Sequence, residues 1–159
     1  MGVTLHYRGR LRAPELVREL TEEVQDICKT NGWSYRLHEL EMDEGIDPKV
    51  IHYVSGKQAT SIPLRGIHFQ PHPESESVML TFTPDGRLLP IVSVLAGTAY
   101  PTLDDMFWAH TKTQFASAET HAVLCKLLRY LADKYFSEWE VLDEAQYWET
   151  GDLEKLQRL

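Results

Sequence analysis

The first forty residues alternate, then follow a helical period, then alternate again. Val3, Leu5 and Tyr7 interleave with Thr4, His6 and Arg8, which is the period of a half-buried strand. Pro14 stands where the first turn of a helix tolerates proline. Leu16, Val17, Leu20, Val24, Ile27 and Cys28 follow at helical spacing, with Glu and Arg on the opposite side. Asn31-Gly32 is a stop signal, because both residues tolerate a left-handed cap. In "WSYRLHEL", Trp33, Tyr35 and Leu37 then share one face and Ser34, Arg36 and His38 the other. The pattern predicts strand–helix–strand.

The middle of the chain reads as β-rich. Val50–Val54 suggests a short strand, and Leu64–Gln70 and Ser77–Thr83 suggest two more, joined by "PHPESES". "TPDGR" carries turn chemistry at Pro84, Asp85 and Gly86, after which Leu88–Leu95 reads as a further strand. Residues 96–106 form an irregular connection. The opening order then recurs. Ala109–Phe115 suggests a strand, Ser117 a helix N-cap, and Val123, Leu124, Leu127, Leu128, Leu131 and Tyr135 a broad apolar helix face. "SEWEVLDE" is the exit strand, with Trp139 and Val141 inward. Thr150 is a cap candidate for a short helix over Asp152–Arg158. The expected architecture is a single α+β domain over residues 1–159. It has a mainly antiparallel sheet of five to seven strands and two long helices packed on one face. The expected order, β-α-β-β-β-β-α-β plus a short C-terminal helix, is similar to that of ferredoxin-like and related split folds, a likeness of element order that carries no function.

Charge adds the first functional constraint. The net charge is −8, and the acids are bunched. From His38 to Pro48 stand Glu39, Glu41, Asp43, Glu44 and Asp47 with no base, and a second acidic stretch fills the C-terminal end from Glu138 onward. Such a surface repels phosphate backbones, so no nucleic-acid partner is expected, whereas a basic protein partner is. No apolar run approaches the ~20 residues needed to span a bilayer, so no membrane partner is expected either. "MGVTLHYRGR" lacks the basic-then-apolar order of an export signal, which points to a cytoplasmic protein. Cys28 and Cys125 fall within apolar helical patterns as small buried hydrophobes, and their pairing stays open.

Candidate chemistry is sparse. His68 and His72 in "HFQPHPESE" are a candidate metal pair, yet residues four apart on an extended strand lie ~13 Å from one another unless the chain bends at Pro71. "HTKTQFASAETH" runs a strand into a helix N-terminus, a place where free amides attract anions. Its candidate ligand-binding residues are His110, Lys112, Gln114, Ser117, Glu119 and His121. "ELEMDEGID" fails as a calcium loop, because Gly45 comes one place late and Val50 replaces the bidentate Glu. No nucleophile elbow, zinc-protease helix or phosphate-binding glycine loop is present, and no cofactor is expected. Trp108 and Trp148 lie outside the regular strands and are candidate interface anchors, together with Glu39, Glu41 and Asp43.

The leading expectation is a small acidic interaction domain of the adaptor or immunity type. It would bind a basic protein or a second copy of itself. The alternative is a metal- or anion-dependent hydrolase or small-ligand binder built from the His/Lys/Glu set. That alternative requires His68, His72, His110, Lys112, Glu119 and His121 to converge in one cleft.

Overall fold

A computed structural model describes residues 3–113 and 115–158. The opening unit forms as its pattern predicts: β1 (Thr4–Leu11), α1 (Leu16–Asn31) and β2 (Ser34–Met42). Helix α1 buries Val17, Leu20, Val24 and Cys28, and it stops where Gly32 takes a left-handed φ of 71°. The closing unit is β5 (Ala109–Lys112), α4 (Ala118–Tyr135) and β6 (Phe136–Asp143). Ser117 caps α4 by accepting a hydrogen bond from the Thr120 amide. Of the apolar face expected on α4, Val123 is instead 45% exposed.

Two parts of the middle differ from expectation. Residues Pro48–Ser55 form helix α2 rather than a strand at Val50–Val54. The Asp47 side chain accepts from the Lys49 amide and Pro48 occupies the first turn, so capping overrides the β-branched composition. The expected strand Leu88–Leu95 is also absent. Leu88 makes one isolated bridge to Phe82, and Ile91–Leu95 is helix α3. Pro90 has no N–H with which to extend a ladder. Strands β3 (Ile62–Gln70) and β4 (Val78–Phe82) do form. Short helices α5 (Tyr147–Thr150) and α6 (Leu153–Gln157) end the described chain. Asp152, rather than Thr150, caps α6.

The architecture is α+β and antiparallel, but the single expected sheet is divided in two. One sheet has the order β5-β1-β6 and the other β2-β3-β4. Strand β1 is antiparallel to both neighbours, so β5-α4-β6 is a split β-α-β unit around it. The two long helices do not share one sheet face: α1 lies on β2 and β3, α4 lies on β6, and the helices touch each other. Leu88 and Leu89 fasten the sheets together. The Leu88 amide donates to Gly9 O and the Leu89 amide to Thr81 O. Buried Tyr7 does the same with its hydroxyl, which sits 3.0 Å from Thr111 Oγ1 and accepts from the Met79 amide. Burial raises that phenol to about 12.

Strand β3 serves two cores. Ile67 and Phe69 enter the main core with Leu5, Tyr7, Leu20 and Leu128. Ile62 and Leu64, on the opposite face, enter a second core with Val50, Ile51, Leu89 and Met106. Gly66 sits at the changeover with φ 154°, where a Cβ would meet Leu80 O at 1.9 Å. Only glycine fits there. Beyond it, the second face of the sheet is no longer covered by the second core, and His68 and Gln70 are left half-buried.

Candidate functional site

The six residues named for a hydrolase cleft do not form one hydrogen-bonded group. Thr111 and Thr113 of the 109–113 stretch are buried, while His110 and Lys112 are exposed, so the latter two face away from the core. His110 stands beside the ring of His6 at 6.3 Å. Gln114 lies outside the described residues. His72 belongs to the turn after β3, where its Nδ1 accepts from the Glu74 amide at 3.0 Å. Exposed Glu119 accepts from Gln157 at 2.9 Å, and the Ser117 hydroxyl already engages the Thr120 amide at 3.2 Å. The N-terminus of α4 is thus capped by its own sequence.

His121 alone of the six turns into the core. Its Nδ1 is 2.6 Å from Thr113 Oγ1 and its Nε2 is 3.0 Å from Asp143 Oδ1. The i, i+4 spacing on α4 places Cys125 on the same face, and its thiol points at Asp143 Oδ2 from 3.8 Å. The three ligand-type atoms of His121, Cys125 and Asp143 lie within 4.8 Å of one another. This resembles a catalytic or metal-binding trio, and its wiring argues against both. Asp143 stands between Cys125 and His121, so no histidine addresses the sulfur as base. Burial, together with the Asp143 carboxylate, raises the thiol far above its ordinary range, the opposite of an activated nucleophile. The carboxylate also accepts from the amides of Ala145 at 2.9 Å and Trp148 at 2.8 Å. Burial opposes its ionisation, but the bonds from His121 and these amides outweigh burial and hold Asp143 below the usual range. Every lone-pair direction of the carboxylate has a donor. This cluster is saturated, and it joins β6, α4 and the start of α5.

A second charged group is saturated as well. On the outer face of the β5-β1-β6 sheet, a cleft of about 330 Å³ holds Arg8, Arg10 and Arg87. Arg8 pairs with Glu140 at 2.9 Å, Arg10 with Asp85 at 2.7 Å and Arg87 with Asp104 at 2.7 Å. Arg8 also covers the Trp108 ring at 4.5 Å, while Arg129 covers Trp148 at 4.3 Å. Both tryptophans are half-buried beneath guanidinium groups of the same chain. Trp33 and Trp139 pack against the main core, as their strand positions predict.

The open arrangement involves a residue that sequence reading passed over. His38 on β2 pairs with Gly66 on β3, and Arg36 pairs with His68. Cross-strand partners share a face, so Arg36, His38 and His68 stand together on the half of the sheet that the second core leaves uncovered. The two imidazoles lie 4.3 Å apart between ring centroids. Both Nε2 atoms are buried and have no hydrogen-bond partner. Among the described residues, the only other buried side-chain nitrogen or oxygen in that condition is Trp139 Nε1. A concavity of about 310 Å³ opens here, lined also by Ser34, Gln70 and Ser77, with no carboxylate on its wall. Burial lowers the affinity of both rings for protons, and Arg36 adds to the effect. His68 falls to about 4, with His38 contributing. Both rings are therefore neutral near pH 7.

The acidic residues occupy the other face and the end of the same strand. Glu39, Glu41 and Asp43 are exposed, and β2 is an outer strand of its sheet. Between α1 and the β2-β3 pair runs a groove of about 440 Å³ whose wall carries Glu22, Leu37 and Glu39 together with Arg18 and Arg65. Leu37 is 51% exposed within it. No helix among the described residues is long and apolar enough to cross a membrane. Compared with protein-family models, curated proteins and solved structures, the chain matches none of them.

Proposed function

We propose that the protein is a small acidic interaction domain that receives a basic, extended segment of another protein along β2. The observation that carries the reading is an outer strand of nine residues that pairs only with β3 among the described residues and whose exposed side chains include Glu39 and Glu41. An open edge offers a ladder of backbone groups to an added strand, and side chains of alternate residues then set specificity. Here the alternate positions supply two acids beside half-exposed Leu37, and Asp43, Glu44 and Asp47 continue the negative field. A strand with Lys or Arg at every second position and an apolar residue against Leu37 complements that row. The saturated state of the His121 cluster supports binding over nucleophilic catalysis.

The test uses labelled peptides of alternating Lys and Val, with Glu–Val peptides as control, followed by fluorescence anisotropy. The Lys peptide binds at low salt and weakens as the Debye length shrinks from ~10 Å toward ~3 Å. The combined substitution Glu39→Gln, Glu41→Gln, Asp43→Asn abolishes that binding. Equal affinity for wild type and the triple variant would refute this assignment of the surface.

A further inference from the structure

The open histidine pair has a chemistry distinct from the acidic row, although both depend on β2. We propose that Arg36, His38 and His68 form a binding site for a small oxyanion of phosphate size, held by the guanidinium and by N–H donors of the two imidazoles. Three observations converge on this. The pocket contains one fixed cation and no carboxylate, in a chain whose net charge is −8. Its two Nε2 atoms are buried and without partners, a state that costs free energy unless something satisfies them. Lastly, the strand register sets both imidazoles on the same face as Arg36, with ring centroids 4.3 Å apart.

A metal cation is the competing occupant of a histidine pair, and the surroundings disfavour it. Tetrahedral zinc needs about four ligands. Among the described residues, the sole group of three or more His, Cys, Asp or Glu ligands close enough to hold an ion is the saturated one at His121. Arg36 also repels a cation from the place where it attracts an anion. A neutral imidazole presents one N–H and one lone pair, so the tautomer with the proton on Nε2 turns each orphan nitrogen into a donor. Two such donors and a guanidinium give an oxyanion several charge-assisted or directed bonds. Gln70 contributes indirectly. Its amide donates to the Pro73 and Ser75 carbonyls at 3.3 and 2.9 Å, which fixes the turn after β3 at the rim of the pocket.

The experiment is a titration of the full chain with inorganic phosphate at constant ionic strength, followed by NMR of the histidine side chains. Zinc is titrated in a separate arm. Saturable shifts of the His38 and His68 rings with phosphate are expected, with the His121 ring unmoved. Arg36→Gln, an exposed position that leaves the core intact, weakens phosphate by about tenfold or more. His68→Phe removes the response of the remaining ring. Circular dichroism and urea midpoints of both variants show whether they are folded. The proposal is overturned if folded wild type shows no saturable response to phosphate. It is equally overturned if Arg36→Gln binds phosphate as tightly as wild type, or if zinc saturates the pair while phosphate does not.

Discussion

His121 and His68 begin as members of one candidate set and end in opposite conditions. His121 is enclosed, and both ring nitrogens have partners in Thr113 and Asp143. His68 is half-buried beside His38, and its Nε2 has no partner among the described residues. The difference lies in what surrounds each ring. Around His121, the end of β6 supplies a carboxylate that also gathers two backbone amides and a thiol. Around His68, the sheet offers a second imidazole, a guanidinium and a glycine, all without an acceptor of full charge. A saturated polar cluster contributes to the fold, because removing any member strands the others in a dry interior. An unsaturated cluster contributes nothing comparable and is available to a ligand. The distinction is one of hydrogen-bond inventory, and burial alone would have ranked the two in the reverse order of functional interest.

The sharpest way to break this comparison is to truncate the carboxylate that saturates His121. Asp143→Ala leaves His121 Nε2 and the Ala145 and Trp148 amides unpaired, and it is expected to cost about 3–5 kcal/mol in urea unfolding. A loss near zero would mean that the cluster is not the hinge between β6, α4 and α5. Leu20→Ala and Leu127→Ala set the apolar scale, at roughly 2–5 kcal/mol each by the same measurement. The corresponding change at the open pair, His68→Phe, is expected to shift stability by about 1 kcal/mol or less, in either direction, since it removes an unsatisfied nitrogen.

The two clusters also separate on the pH axis. His68 has a folded value of about 4 against 6.5 for the free side chain, so the unfolded chain takes up its proton first. Stability is then lost as pH falls from about 6.5 toward 4, and His68→Phe flattens that window. Asp143 is depressed when folded, so its contribution persists above the unfolded carboxyl value of about 3.9 and disappears only as pH drops further. Urea midpoints across the acid range distinguish the windows. An unchanged slope between pH 6.5 and 4 in His68→Phe would remove the electrostatic argument for the open pair. The smallest effect belongs to the acidic row. Glu39→Gln, Glu41→Gln and Asp43→Asn together are expected to leave the urea midpoint close to wild type, because these charges stand in solvent.

How far the sequence discloses these arrangements depends on whether the controlling contact is local. Alternation in "WSYRLHEL" and the helical period from Leu16 to Cys28 are local, and both elements form where they are expected. The Asp47-Pro48 start of α2 was also local, but the run Val50–Val54 carried β-branched residues that masked it. Leu88–Leu95 misled for a similar reason, its apolar content outweighing the break at Pro90. Asp143 had a visible signal, since an Asp whose side chain takes the amide two residues on marks a turn. It was absorbed instead into the acidic tail of "SEWEVLDE". His38 had no comparable signal. Its significance comes from a register that sets it opposite Gly66 and two pairs from His68 on the same face, and register is a property of two strands together.

The most direct test of the saturated–unsaturated distinction is the state of the ring N–H protons in the unliganded protein. Two-dimensional NMR of nitrogen-15-labelled histidine side chains near pH 7 reports the tautomer of each ring and the exchange of its proton with water. The expected result is a slowly exchanging, downfield ring proton on His121, bonded toward Asp143, and neutral His38 and His68 rings without such protection. A protected, downfield ring proton on His68 equal to that of His121 would show that the pair is already satisfied, and would contradict the account.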